Sequence, residues 1–308
     1  MLKFAVKRIL FMIPSIIIIT LVTFVIMSFS AGSPGSVALG ITASPEDIAA
    51  YNHEVGYDRP VLVRYGEYML NILKGDFGER YSDGVKVTQV LLPKFPTTLK
   101  LALLAVLFSA LIGIPLGVLA AVKKGTIADT GTTVVSLILA SIPGFWLGLL
   151  LMLLFSYQLG WLPTFGLGSW KNYVMPVATL AIPSSAFVAR MVRMTMLEAL
   201  SSDYVRTARA KGAGPGRIVF IHVLRNAMLP VITQLGMSFA GLLGVAVIAE
   251  KIFGLPGFGS AILEAINKKE TMVVLGATVF LSFLYMLIML AMDLINALLN
   301  PKIRDNLG

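Results

Sequence analysis

Long apolar runs dominate the chain, and short polar segments separate them. The runs approach or exceed the roughly 20 residues that a helix needs to cross the hydrocarbon core of a bilayer. They predict spans at about 9–30, 95–122, 130–157, 173–194, 229–249 and 272–299. The pattern therefore predicts an all-α polytopic membrane protein with six transmembrane helices.

One sizeable polar segment lies between the first two predicted spans, at residues 31–93. It holds eight acidic and five basic residues, so its net charge is −3. Ser44 followed by Pro45 predicts a helix start, residues 65–73 predict a second helix, and Gly75–Gly78 predict a turn. We expect a small external subdomain here, between an N-terminal part at 1–30 and a membrane core at 94–308.

Composition agrees with a membrane protein, since 57% of the 308 residues are hydrophobic and 13% are charged. The net charge is +9, and the basic residues concentrate in segments that a six-span topology places on one side. Basic segments favour the cytoplasmic side, which predicts cytoplasmic N- and C-termini. Without a soluble basic domain, nucleic-acid binding is a poor interpretation of the charge. The sequence contains no cysteine, which excludes disulfides.

The basic segment at 197–228 separates the fourth and fifth predicted spans. Ser201, Ser202 and Asp203 are good helix N-caps, and residues 204–211 predict a short helix. Gly212 is a typical C-terminal stop. Small alanines at 208 and 210 keep this helix thin, so that a partner can approach closely.

A second helix follows a second predicted break at 214–216. Ile218, Ile221 and Leu224, with Met228 one turn on, predict its apolar face. A small basic helix held between membrane spans suits docking by a partner protein.

The residues of this segment resemble the cytoplasmic coupling loop of ABC-importer permeases, in the dipeptide, oligopeptide and nickel branch. The resemblance rests on Arg-Thr-Ala-Arg-Ala-Lys-Gly at 206–212, His222, Arg225-Asn226 and Leu229-Pro230. The wider superfamily has Glu-Ala where this chain has Arg206-Thr207, and this departure matches the peptide branch.

A second resemblance lies at 250–259, which matches the family's external motif E-x-I-F-x-x-P-G-x-G after the fifth span. Two interpretations stay open for it: a re-entry turn that leads into the helix at 260–266, or part of the outer mouth of the pathway. The family often continues with R-D-Y-P. This chain instead has Lys269-Glu270-Thr271-Met272, so we expect the start of the last span to differ.

The resemblance covers essentially the whole chain and implies the type I ABC-importer permease fold. It implies half of a translocation pore, a second homologous permease, two ABC ATPase subunits that bind ATP and Mg, and an external substrate-binding protein. It places the chain in the lipid bilayer of a bacterial or archaeal cytoplasmic membrane, with no cofactor of its own.

The resemblance also implies roles for three groups of residues. The residues that would contact the ATPase are Tyr204, Arg206, Thr207, Ala208, Arg209, Ala210, Lys211 and Gly212. The residues that would support the coupling loop are His222, Arg225, Asn226 and Pro230. The outer-mouth motif comprises Glu250, Phe253, Pro256, Gly257 and Gly259.

Side chains and spacings inside the predicted spans have simpler interpretations. Gly113/Gly117 and Gly144/Gly148 predict close helix packing. Pro115 and Pro143 predict packing kinks. Arg190 and Arg193, near the cytoplasmic end of the fourth span, are expected to extend toward lipid headgroups. Asp293 is expected to form a structural ion pair or cap with residues 301–304.

Other functions stay open. The same family includes permeases for nickel, glutathione and other small solutes. A stand-alone secondary transporter driven by an ion gradient would use Asp293 and would show an internal repeat. This sequence shows no clear repeat. A receptor or scaffold would not explain the coupling loop. The sequence lacks the phosphate loop that binds ATP, and its two histidines, at 53 and 222, fall on predicted opposite sides of the membrane.

Overall fold

The computed structural model describes residues 2–29, 32–40 and 42–299, and these residues are largely helical. The described residues contain no strand; one isolated antiparallel bridge joins Glu79 to Lys86. The all-α prediction is therefore confirmed. The chain forms two compact units: Leu99–Leu255 with the segment that begins at Ala291, and Leu2–Thr98 with Pro256–Leu290.

The helices of the described residues are joined mostly by short connections, and the two longest are at 74–86 and 159–170. They are α1 (Leu2–Phe29), α2 (Pro34–Leu39), α3 (Pro45–Glu54), α4 (Val61–Leu73), α5 (Val87–Leu91), α6 (Phe95–Val122), α7 (Ile127–Ser141), α8 (Gly144–Leu151), α9 (Lys171–Leu200), α10 (Asp203–Ala210), α11 (Pro215–Arg217), α12 (Leu224–Ile252), α13 (Phe258–Asn267) and α14 (Thr271–Leu299). A 3₁₀ turn at Leu92–Lys94 joins α5 to α6. A π-helical segment at Met152–Gln158 continues α8. A second one, at Ile218–Val223, joins α11 to α12.

Five helical stretches of the described chain are long and apolar enough to cross a membrane. They are Leu10–Phe29, Val87–Val122, Lys171–Leu200, Pro215–Ile252 and Thr271–Asn296. The stretch that ends at Ile252 begins at Pro215, so the second predicted break, at 214–216, is the start of this helix. The helix is therefore longer than the span predicted at 229–249.

The third predicted span, at 130–157, is broken rather than continuous. Its two halves, Ile127–Ser141 and Gly144–Gln158, meet at 97°. Ile142, at the break, has φ −73° and ψ 124°, the extended conformation that a following proline favours. Pro143 therefore produces a sharp break instead of the predicted packing kink. Pro115, in contrast, lies inside the continuous helix α6.

In the first unit, α6 packs closely on α9. A Cβ atom at Gly113 would lie 2.7 Å from the carbonyl oxygen of Ser185, and one at Gly117 would lie 2.5 Å from that of Ala189. Only glycine allows these approaches, which confirms the first predicted spacing. The second predicted spacing, Gly144/Gly148, is wrong at Gly144, where a Cβ would meet nothing within 4 Å.

Aromatic packing holds the second unit together. The ring of Phe95 meets those of Phe258 and Phe280 edge-on, with centroids 5.9 and 5.0 Å away. The hydroxyl of Tyr65 on α4 donates to the carbonyl oxygen of Ile17 on α1 at 2.9 Å. Ser44 accepts from the backbone N–H of Asp47, which confirms the predicted cap of α3.

Residues 301–304, the predicted partners of Asp293, lie outside the described residues.

Candidate functional site

The short helix predicted at 204–211 is α10, which follows α9 after two residues. Ser202 occupies the N-cap position, as predicted, but forms no side-chain cap. Its hydroxyl instead donates to the carbonyl of Ala199 at 2.6 Å, and that of Ser201 donates to the carbonyl of Glu198 at 2.8 Å. The predicted capping bonds are wrong because both hydroxyls close the last turn of α9.

One buried side chain attaches α10 to the rest of its unit. Val205 is 0% exposed and belongs to a cluster with Met196, Ile218 and Val223. Ala208 is half-buried. The remaining predicted contact residues of the helix are exposed: Tyr204, Arg206, Thr207, Arg209, Ala210 and Lys211. The helix therefore presents a basic outer surface on an apolar anchor.

Gly212 ends α10 in the left-handed conformation, with φ +79°. Its N–H bonds to the carbonyl of Arg209 at 2.9 Å, and the N–H of Ala213 bonds to that of Ala208 at 3.1 Å. This pair of bonds is the Schellman termination. A Cβ at Gly212 would meet nothing within 4 Å, so backbone conformation is the reason for glycine here.

We expect Gly212→Ala to weaken the end of α10 by about 1–2 kcal/mol, because an L side chain is strained at this φ. Hydrogen–deuterium exchange should show amides 208–213 exchanging about 5–30-fold faster. Gly214→Ala is the matched control, since Gly214 has φ −67° and an added Cβ there would also meet nothing within 4 Å. Equal exchange in both variants would contradict the prediction.

The second half of the loop is π-helical from Ile218 to Val223. The wider turn brings Ile218 and Val223, five residues apart, onto one buried face. Ile221, predicted on that face from α-helical spacing, is exposed. The α-helical period returns at Val223, and Ala227 is buried one turn later.

The predicted support residues lie on this π-helical segment and the first turns of α12. Asn226 Nδ2 donates to the carbonyl oxygen of His222 at 3.1 Å. Arg225 and Pro230 are exposed, so they lie on the surface of the helix rather than beneath α10.

A salt bridge beside the loop was not predicted. Arg193 Nη2 donates to Asp129 Oδ2 at 2.9 Å, and Arg193 Nε donates to Oδ1 at 2.5 Å. The N–H of Gly125 also donates to Asp129 Oδ2, at 3.0 Å. Arg193 therefore connects α9 to the start of α7 instead of extending toward lipid. Arg190 lies over the ring of Phe187, 4.8 Å from its centroid.

The second motif, at 250–259, lies at the far end of the same long helix. Glu250 and Phe253 are buried at the end of α12, and the N–H of Leu255 bonds to the carbonyl of Glu250 at 2.8 Å. Gly257 and Gly259 are buried, whereas Pro256 is exposed. Gly257 precedes α13, and its N–H donates to Ser260 Oγ at 3.0 Å. At about 1.5 Å per residue, roughly 50 Å of helix separates this turn from Pro215.

A buried carboxylate in the second unit was also missed. Glu270 is 1% exposed and accepts from the N–H groups of Tyr81 at 2.8 Å and Ser82 at 3.1 Å. The sequence shows only an acidic residue before the last span, and nothing there indicates its partners. Within the described residues, no group of three or more His, Cys, Asp or Glu side chains is placed to hold a metal ion.

These features belong to a known family of membrane transport proteins. Residues 113–305 match the family described as "Binding-protein-dependent transport system inner membrane component", and residues 1–102 match the N-terminal region of such membrane components. This chain belongs to that family. It is a multi-pass ABC-importer permease, a transport subunit rather than an enzyme; its family implies ATPase and substrate-binding partners.

Two relatives match the permease along its whole length. The glutathione transport system permease protein GsiC of Salmonella choleraesuis (strain SC-B67) is 35% identical over 304 residues, which cover 99% of each chain. The di/tripeptide transport system permease protein DppB of Pseudomonas aeruginosa (strain UCBPP-PA14) is 36% identical over an alignment of 333 positions, again covering 99% of each chain.

Two solved structures share the fold of the permease core. An inward-facing structure of the MetNI methionine ABC transporter matches with a TM-score of 0.56 and 23% identity, over 69% of this chain and 97% of that one. An amino acid ABC transporter with histidines matches with a TM-score of 0.53 and 18% identity, over 70% and 94%. The predicted permease fold is confirmed at this level.

Proposed function

We propose that this permease forms half of the translocation pore of an ATP-driven importer for di- and oligopeptides. A second homologous permease would form the other half. Support for the substrate class comes from the di/tripeptide permease, which is 36% identical over the whole chain. Two ABC ATPases would bind the ATP and Mg, and an external substrate-binding protein would deliver the peptide.

The proposed topology has six spans, with the bent pair α7–α8 as the third and both termini in the cytoplasm. Residues 1–30 form the tail and first span, 31–93 the external subdomain and 94–308 the permease core. The subdomain's charge of −3 and the basic character of 197–228 support these sides. The membrane is the cytoplasmic (inner) membrane.

The proposed ATPase contact is α10 with Gly212, and one observation carries it. Val205 is buried in the permease while the basic surface of the same helix is exposed. A protruding helix fixed at its base transmits force from a partner to the spans that flank it. His222 on the π-helical segment, and Arg225, Asn226 and Pro230 in the first turns of α12, would support the helix.

At the other end of α12, we propose that the turn at 250–259 belongs to the outer mouth of the pathway. Burial of Glu250, Phe253, Gly257 and Gly259 supports a turn that is held in one conformation. Exposed Pro256 would then be the member available to a passing peptide or to the binding protein.

A mild-detergent pull-down of this chain from its native membrane tests the assembly. We expect mass spectrometry to identify a second permease and ATPases with phosphate loops. Recovery of a folded chain alone, in repeated preparations, would overturn the proposal and favour gradient-driven transport.

Glutathione is the second candidate substrate, because a glutathione permease is 35% identical over the whole chain. The binding protein that accompanies the complex would be screened against dipeptides, glutathione and nickel. Tightest binding of dipeptides is the expected result, and selective binding of nickel would contradict a peptide substrate.

A further inference from the structure

A groove in the first unit runs along the last turns of α6 and ends at the coupling segment. One wall is α6 from Ile114 to Val122, and the other extends from Pro215 through the π-helical segment to Leu224. Every residue that lines it is apolar or glycine, and its volume is about 520 Å³. Eight residues of helix rise about 12 Å, close to half of the ~30 Å hydrocarbon core. The groove therefore has the length and the surface of a site for one acyl chain.

Two basic side chains lie where this groove reaches the end of α6. A cavity of about 640 Å³ continues the groove, since Val122, Pro215 and Val219 line both. Lys124, two residues beyond the end of α6, and Arg209 on α10 line the cavity. None of its described lining residues is acidic. In the proposed topology the end of α6 marks the membrane surface, so the two basic groups lie at the depth of lipid headgroups.

The positive charge of this cavity is not neutralised within the described part of the chain. Lys124 and Arg209 are exposed, and neither belongs to an ion pair there. Asp129 interacts electrostatically with Lys124, but both of its carboxylate oxygens accept bonds from Arg193. Three basic side chains and one carboxylate leave a net charge of +2 at this end of the groove. The complementary occupant is an anionic group.

Arg209 differs from the other basic residues near α10. Arg206 and Lys211 line neither the groove nor the cavity, and Arg206 Nη1 lies 3.6 Å from Asp203 Oδ1. The cavity wall that includes Arg209 also includes Leu200, at the end of α9. Arg209 is therefore placed beside the ends of α6 and α9, while Arg206 and Lys211 stay available for the proposed ATPase contact.

We propose that the groove and the cavity together bind an anionic phospholipid of the cytoplasmic leaflet. One acyl chain would occupy the apolar groove, and the phosphate would lie between Lys124 and Arg209. Both side chains donate charge-assisted hydrogen bonds, which are stronger than those between neutral groups. Basic pockets between membrane helices on the cytoplasmic side are typical sites for anionic headgroups. The site rests on the proposed topology, which places this end of α6 in the cytoplasm.

Lipid binding is tested by native mass spectrometry of the full-length chain and of its complete complex. The probes are phosphatidylglycerol and phosphatidylcholine with identical acyl chains, which differ in headgroup charge. We expect phosphatidylglycerol to bind at least about fivefold more tightly, because one basic residue near a membrane surface contributes roughly that factor. Lys124→Gln should reduce this preference about fivefold. Lys123→Gln is the matched control and should leave the preference unchanged, because it removes the same charge from a residue that lines neither the groove nor the cavity.

The apolar part of the site is tested separately. Leu119 lines the groove and is 45% exposed, so Leu119→Trp fills the groove while the fold is expected to persist. It should weaken binding about tenfold, the loss expected when two methylene groups of the acyl chain are excluded. Leu116→Trp is the matched control, since Leu116 is 39% exposed on the same helix and does not line the groove. This variant should bind phosphatidylglycerol as the native chain does.

Equal binding of the two lipids, or equal losses from Lys123→Gln and Lys124→Gln, would overturn the proposal. Binding by the isolated chain that is absent from the complete complex would show that the second permease covers the groove, and would also overturn it. A failure of lipid binding while ATPases still copurify would leave the proposed function intact. Lipid binding by a chain that recovers no ATPase would leave the lipid site intact and contradict the importer.

Discussion

Replacing Ala210 by tryptophan is expected to reduce ATP-driven uptake to less than about a tenth of its native rate. Ala210 is exposed on α10, so the larger side chain can extend into solvent in the isolated chain and the fold is expected to persist. In the complex it would occupy the space that the ATPase needs. Loss of about 1.4 kcal/mol of docking free energy already weakens binding tenfold.

The measurement is uptake into proteoliposomes that contain the full complex, together with the amount of ATPase that copurifies. Ala210→Ser is the matched control, because serine keeps the surface small at the same position. We expect it to retain uptake and copurification. Native uptake by the tryptophan variant would show that this surface of α10 does not face the ATPase.

The apolar pattern predicted most of the fold because each span must satisfy its own backbone hydrogen bonds within one helix, which requires a long apolar run. The segments at 95–122 and 173–194 lie within observed helices, and α10 differs by one residue at each end from its prediction. The pattern could not show the 97° break at Ile142, since a proline kinks one helix and breaks another according to its neighbours.

The details of the coupling segment depend on contacts that spacing alone does not encode. A π-helical turn moved Ile221 off the buried face and replaced it with Val223. Gly212, in contrast, was predicted as a helix stop from local chemistry, and its φ of +79° confirms that position. Local rules therefore located the helix end, whereas register depended on packing against α9.

Long-range polar pairs could not be predicted from the sequence either, because local spacing does not encode contacts between distant residues. Asp129 and Arg193 are 64 residues apart, and Glu270 bonds to backbone groups more than 180 residues earlier in the chain. A single sequence shows that such residues are charged but not which distant group they meet. Both pairs became visible only from the arrangement of the helices.

Replacing Glu270 by alanine is expected to destabilise the second unit by about 2–4 kcal/mol, the largest stability effect that we predict. Each carboxylate oxygen accepts one N–H, from Tyr81 and from Ser82, and hydrogen bonds to charged groups contribute roughly 1.5–3 kcal/mol each. The two bonds sum to about 3–6 kcal/mol, and we expect a smaller effect than this sum because Ser82 is exposed and water can reach its N–H.

Thermal unfolding in detergent, with proteolysis at residues 79–86 as a local probe, measures this effect. Glu270→Gln should also destabilise, because an amide has one acceptor oxygen and turns an N–H₂ donor toward the second backbone N–H. Glu264→Gln is the control: Glu264 bonds only at the surface with Lys268, so we expect a change below about 0.5 kcal/mol. If glutamine at 270 were as stable as glutamate, the two N–H groups would not depend on the carboxylate. The loop at 79–86 would then be held by its other contacts, among them the Glu79–Lys86 bridge and the bond from Val87 N–H to the Gly78 carbonyl.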